Sequence, residues 1–185
     1  MTRPGGAVLE FRSGGAVPAA LHGVAFAPWP PPDDWSLAAG ALPLGEPPLV
    51  PAPGRDPAAG AAILEPDGRV WIIDPAKGFG GYAHTFPKGR IEPGLDPQRA
   101  AMKECFEETG LGIAITGWLG DFDRSTTTTR LYLARRLGGS PVAFDPREVE
   151  AVRLVPVVDL PAWLTNAHDA KPVAALLQHI ATTGF

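Results

Sequence analysis

From Ala59 to Leu64 the chain carries no polar side chain, and a short apolar run of this kind predicts a buried strand. Pro66-Asp67-Gly68 follows, a turn in which proline presets one dihedral angle and glycine accepts a positive one. Residues 69–74 then return as a β-rich segment, so 59–74 is expected to be a hairpin. Residues 78–82 read as a loop, and 84–87 as a short strand running into Lys88-Gly89-Arg90. Asp96 stands at a helix-cap position, Pro97 at the first helical position and Gly110 at a stop, which predicts a helix over 98–109. Residues 113–123 predict a strand bent at Gly117 and Gly120, and the alternation through Leu131 and Leu133 predicts its partner over 127–135. A further strand is expected over 149–158 and a helical turn over 161–164. Val173, Leu176, Leu177 and Ile180, at helical spacing, predict a closing helix over 171–180. Strands, helix, strands, helix is the order of an α+β fold with helices packed on a mixed sheet. Trp71 and Trp118 are expected in the core, and His84 on a strand surface.

Composition divides this chain of 185 residues. Residues 1–56 hold eleven of the 22 prolines and eight of the 22 glycines, about a third of that segment. The segment also carries Leu9, Phe11, Leu21, Val24, Phe26, Trp29 and Trp35, groups in which linkers are poor. It reads as an extension over 1–56 lying on a main domain over 57–185 or on a partner subunit. A short strand is expected within 19–29. Pro30-Pro31-Pro32 fits a stiff surface loop, or a polyproline ligand.

With 16 basic and 20 acidic residues the formal net charge is −4. That argues against the dense basic face needed to bind a nucleic-acid duplex or an anionic membrane. Cys105 is the only cysteine, so neither an intrachain disulfide nor a cysteine-rich zinc site is expected. No apolar run approaches the length of a membrane span. A cytoplasmic protein is the expectation, with a homodimer admitted.

The candidate chemistry lies on the helix predicted over 98–109. At about 100° per residue, Glu107 lies near −60° and Glu108 near +40° of Glu104. Three carboxylates therefore share one face, and small Ala100 shares it with them. Met102 and Phe106 point the other way, toward the expected core, with Cys105 flanking them as an inert small hydrophobe. Carboxylates at this spacing repel one another. A hard divalent cation, Mg²⁺ or Mn²⁺, relieves the repulsion and takes several oxygen ligands. A solvated acidic helix face is the competing reading of the glutamates alone.

The wider spacing discriminates between these readings. Residues 89–111 resemble the Nudix box, G-x5-E-x7-R-E-U-x-E-E-x-G-U with U aliphatic: Gly89, Glu104, Glu107, Glu108, Gly110 and Leu111 match in register, inside a strand-loop-helix context. Cys105 stands at the first aliphatic position. Leu95 replaces the first glutamate of the box and Lys103 its arginine. Lysine keeps the charge and loses the planar two-pronged donor; Glu92 or Asp96 offers it a new partner.

The resemblance implies a Nudix-type α/β/α sandwich. It also implies a metal-dependent hydrolase that cleaves a phosphoanhydride bond in a nucleoside diphosphate linked to another group, with Mg²⁺ or Mn²⁺ as cofactor. Glu104, Glu107, Glu108 and the Gly89 carbonyl would hold metal, with Lys103 supporting the site and Glu104 alternatively acting as general base. Glu150, or Glu148, would supply a further acidic ligand. Lys88, Arg90 and Arg124 would meet phosphate oxygens, although Arg124 and Arg130 also read as a strand-turn surface. Phe79, Tyr82, His84 and Trp118 are candidates for stacking on a base. Dinucleoside polyphosphates, nucleoside triphosphates, ADP-ribose and diphosphoinositol phosphates are the candidate substrates. The other class consistent with Leu95 and Lys103 is a Nudix-fold module that binds a nucleotide or a protein and cleaves weakly or not at all.

Overall fold

The computed structural model describes residues 6–184. Nine strands form: β1 (Leu9–Phe11), β2 (Ala20–Leu21), β3 (Val24–Ala25), β4 (Asp56–Leu64), β5 (Arg69–Pro75), β6 (Lys88–Arg90), β7 (Leu111–Asp123), β8 (Thr127–Gly139) and β9 (Val149–Pro156). The helices are α1 (Pro97–Thr109), α2 (Leu160–Trp163) and α3 (Ala170–Thr183). Six strands run in the order β1-β9-β5-β4-β8-β7, with β6 added beside β4, and β2–β3 form a separate small hairpin. Neighbours are antiparallel except β4 and β8.

β4 is a fork. Its residues Ala58, Ala59 and Gly60 pair with β6, whereas Ile63 and Leu64 pair with β5. The diverging partners leave an opening between them, and this opening becomes the cleft described below.

Side chains alternate across the sheet as the pleat requires. Ala59, Ala61 and Ile63 of β4 pack with Trp71 against Ala101, Met102 and Cys105 of α1. Ala62 packs on the opposite face with Ile72 and Phe86 against Leu160, Val173 and Leu176 of α2 and α3. The sheet is thus sandwiched between α1 and the α2–α3 pair.

α1 begins and ends where its local chemistry dictates. The Asp96 side chain accepts from the Arg99 N–H, Pro97 opens the first turn, and Gly110 takes the left-handed conformation (φ 71°) that stops it. β7 shifts register between Ile115 and Gly117 and again between Trp118 and Gly120, the two predicted bends. The short strand expected over 84–87 forms instead at Lys88–Arg90; of the earlier stretch only Thr85 bridges to Ile73.

Several expected burials are corrected. Trp71 is fully buried, but Trp118 is 41% exposed, because the bulges turn the second half of edge strand β7 off the core. Trp118 lies instead over the Arg130 guanidinium, 5.4 Å from ring centroid to carbon. Phe106 is half-buried and rests on Trp35, centroids 5.9 Å apart; the core face of α1 is centred on Ala101 and Cys105. Arg124 and Arg130 are both buried.

The extension lies on the sheet and on α1. β1 pairs with β9 at the sheet edge. Arg136 of β8 donates to the carbonyls of Leu21 (2.9 Å) and Val24 (3.3 Å) and to the buried Glu65 carboxylate (2.6 Å), which also accepts from the Trp71 indole (2.9 Å). Removing one member of such a buried pair leaves an uncompensated charge. Arg136→Ala is expected to destabilise the chain by about 3–5 kcal/mol in urea unfolding, and Arg136→Met together with Glu65→Leu by clearly less. Equal losses in the two variants would show that packing rather than the charge pair is at stake.

Candidate active site

β6 brings Lys88, Gly89 and Arg90 against the acidic face of α1. The Lys88 backbone N–H donates to Glu108 Oε2 at 2.7 Å. Gly89 passes directly beneath Glu104: a methyl group there would collide with the Glu104 carboxylate. Glycine at this position is therefore a packing requirement of the helix–strand contact.

The three glutamates sit in different surroundings. Burial pushes the Glu104 carboxyl up to about 7, and the Glu107 charge adds to the effect. Burial likewise pushes Glu108 up to about 8, although the Lys88 ammonium and backbone N–H oppose it. Glu107 is more exposed and bonds to Lys103 Nζ at 2.7 Å. Lys103 also reaches Glu92 Oε1 at 2.9 Å, whereas Asp96 caps α1 and pairs with Arg99 at 2.6 Å. Burial works against the Lys103 charge, but its bonds to Glu107 and Glu92 prevail and hold its pKa above the ordinary value.

The cleft at the β4 fork has a volume of about 780 Å³. Glu108, Gly89 and Glu148 line it together with Lys88, Tyr82 and Arg124. Glu148, just ahead of β9, adds its charge to the fields at both Glu104 and Glu108. Glu150, one step inside β9, is exposed and does not line the cleft. Glu148 precedes the strand, and the register of β9 against β5 shifts at this end, between the Asp74–Ala151 and Pro75–Val149 pairs. Arg90 reaches the cleft edge but is largely exposed and pairs with Asp56 at 3.1 Å.

Arg124 is 3% exposed. It donates to Asp169 Oδ1 (2.8 Å) and to the Tyr82 hydroxyl (3.1 Å), and its Nε has no partner among the described residues. The Lys88 ammonium sits 4.9 Å from the Tyr82 ring centroid. Burial and the nearby Arg124 charge push its pKa down. The pattern reading missed Asp169; its only sequence signal is an acid at the start of the last helix. Phe79 stands 81% exposed at the cleft mouth. His84 bonds to Asp74 at 2.6 Å and meets Trp163 edge-on, away from the α1 acids.

Among the described residues no three acid, histidine or cysteine side chains form a ready-made cation cage. The donor set nonetheless fits a hard cation: two crowded carboxylates held off their ordinary pKa, a third beside them and the Gly89 backbone packed against Glu104.

The family model for the NUDIX domain matches residues 54–176, so the chain belongs to the Nudix family. An RNA pyrophosphohydrolase of Photorhabdus laumondii is 33% identical over 52% of this chain and 49% of its own length. The crystal structure of a MutT NUDIX hydrolase from Burkholderia pseudomallei is 29% identical with a TM-score of 0.53, covering 67% of this chain and 97% of that one. An ADP-ribose pyrophosphatase from Streptococcus suis shares the fold at a TM-score of 0.55 and 22% identity, over 70% of this chain and 93% of that one. The chain spans about a third to a half of the length of the curated relatives it matches. No helix of the described residues is long and apolar enough to cross a membrane.

The raised carboxyls make stability depend on pH in a defined direction. Unfolded, both groups titrate near 4.5. Below that value both states are protonated and no penalty exists; as pH rises toward 7 and 8 the unfolded chain ionises freely and the folded one does not. The metal-free protein is expected to lose thermal stability between pH 5 and pH 8 relative to Glu108→Gln, measured by calorimetry in chelator. Parallel curves for the two proteins would contradict the crowding of the site.

Proposed function

We propose that this chain is a divalent-metal-dependent Nudix pyrophosphohydrolase acting on a nucleoside diphosphate derivative. The observation that carries the reading is the packing of Glu104 and Glu108 against the β6 backbone at Lys88 and Gly89, with Lys88 and Arg124 lining the same cleft as Glu108. Glu104, Glu107, Glu108 and the Gly89 carbonyl would hold Mg²⁺ or Mn²⁺, with Glu148 as the nearby further acid. When bound, such an ion neutralises charge on phosphate oxygens and makes water a better nucleophile at neutral pH.

The chain's own residues supply the remainder. Lys88 and Arg124, which line the cleft, would meet phosphate oxygens, with Arg124 fixed in turn by Asp169 and Tyr82. Glu104, packed over Gly89 and one turn from Glu108, would alternatively leave the metal to the other acids and take the proton of the attacking water. The oxygen–phosphorus bond forms as the anhydride bond opposite it breaks, and the departing phosphate carries the electron pair. The cleft's volume of about 780 Å³ lies in the range of small-molecule sites.

Curated relatives are named RNA pyrophosphohydrolases, and solved structures of the same fold include an ADP-ribose pyrophosphatase and an Ap4A hydrolase; the candidate substrates share the phosphoanhydride. The test is release of phosphate or nucleotide from nucleoside triphosphates, dinucleoside polyphosphates, ADP-ribose and diphosphoinositol phosphates with Mg²⁺ or Mn²⁺. Native protein is expected to turn over at least one of them, and Glu108→Gln to lose roughly a hundredfold or more in kcat. Binding without turnover across the panel would establish a binding module instead.

A further inference from the structure

Both departures from the Nudix box, Leu95 and Lys103, line one groove with a segment outside the matched residues 54–176. Asp34 caps a single 3₁₀ turn, Trp35–Leu37, which sets Trp35 on Phe106 of α1. The chain continues over Met102, which lies beneath Gly40. It is then clamped to the first turn of α1, where the Gln98 amide bonds both to the N–H and to the carbonyl of Leu42, each at 2.7 Å. The Gly40 carbonyl also accepts from the Ile115 N–H at 3.1 Å. Residues 34–42 are thus a strap along the acid-bearing helix.

Leu95 lies under this strap. It packs with Trp35 and Ile91 against the core cluster, and it lines one groove with Asp34, Trp35, Glu92 and Lys103. A carboxylate at position 95 would lose water against the Trp35 ring, and the Lys103 ammonium in the same groove is already engaged by Glu92 and Glu107. Glu92, three residues earlier and 57% exposed at its side chain, reaches the same ammonium from the solvent side.

We propose that Glu92 is a positioning residue: by anchoring Lys103 it sets Glu107 in place for metal, the task the box ordinarily gives to residue 95. Lysine is a point charge on a flexible stem, so one acceptor does not fix it, whereas an arginine fork would be held by two parallel bonds. Two acceptors, Glu92 at 2.9 Å and Glu107 at 2.7 Å, restore that fixity. Lys103 occupies Oε2 of Glu107 and leaves Oε1 for a cation. Without Glu92 the ammonium is free to move further onto Glu107 and toward Glu104, where it competes with the cation.

The inference rests on α1 as the metal-binding helix, and the test separates the two claims. Mn²⁺ affinity of the full chain is measured by calorimetry without substrate, beside the thermal midpoint of the metal-free protein. Exposed ion pairs contribute little to stability, so Glu92→Gln is expected to keep its midpoint within about 2 °C while weakening Mn²⁺ roughly tenfold, as loss of a partner to a metal ligand does elsewhere. Glu92→Asp should recover most of that affinity. Adding Leu95→Glu to Glu92→Gln should not recover it, and should lower the midpoint. Native binding of Mn²⁺ with an unchanged affinity in Glu92→Gln would overturn this inference and leave the proposed function standing. Full rescue by Leu95→Glu would overturn the role of the strap. No Mn²⁺ binding by the native chain would remove both.

Discussion

Two carboxylates one helical turn apart, Glu104 and Glu108, are pressed against the backbone of a three-residue strand, and much of the structure serves to hold them there. Neither is relieved in the way surface acids are relieved. Glu108 has one backbone N–H and the field of an enclosed lysine; Glu104 has the glycine beneath it. Water is partly excluded from both, so the charged forms are disfavoured. Such an arrangement persists only if the opposite side of the helix is better satisfied than the acidic side is strained. Ala101, Met102 and Cys105, buried against β4, provide that anchor.

The fork in β4 is the second part of the arrangement. One strand pairs with β6 at its start and with β5 at its end, so the acids and the cleft share an edge. Across the cleft the cations are built with equal care. Arg124 is held by Asp169 from the start of α3 and by the Tyr82 hydroxyl, which fixes a guanidinium that would otherwise sample many rotamers. Acids and cations from elements distant in sequence are thus brought into one cleft, where the buried Lys88 acts directly on Glu108.

What could be read from the chain and what could not divide along the range of the interaction. Helix α1 was legible to within a residue because its cap, first proline and terminal glycine act locally. The bends of β7 were legible because glycines marked them. The box spacing gave the acidic face directly. Its departure at Lys103 pointed to Glu92 or Asp96, and the structure selects Glu92 because Asp96 is committed to the cap. Long-range pairing was not legible. Arg124 and Arg130 look like surface charges until Asp169 and Asp121 arrive from elsewhere. Trp118 looks like core until the bulges rotate it out. Glu148 and Glu150 lie on either side of the start of β9, next to a register shift that no composition argument locates, and only Glu148 lines the cleft.

The central claim is that the α1 carboxyls are kept partly protonated near neutrality by their seat and are ionised when a cation takes it. Ligands must be deprotonated to bind metal, so binding must then release protons. Mn²⁺ titration at pH 7 in two buffers of different ionisation enthalpy reads that release directly. Between one and two protons are expected to be released per metal bound, since carboxyls near 7 and 8 are about half and about nine-tenths protonated at that pH. Heats that do not change with buffer would mean that the acids are already ionised, and that the crowding described here does not govern the site.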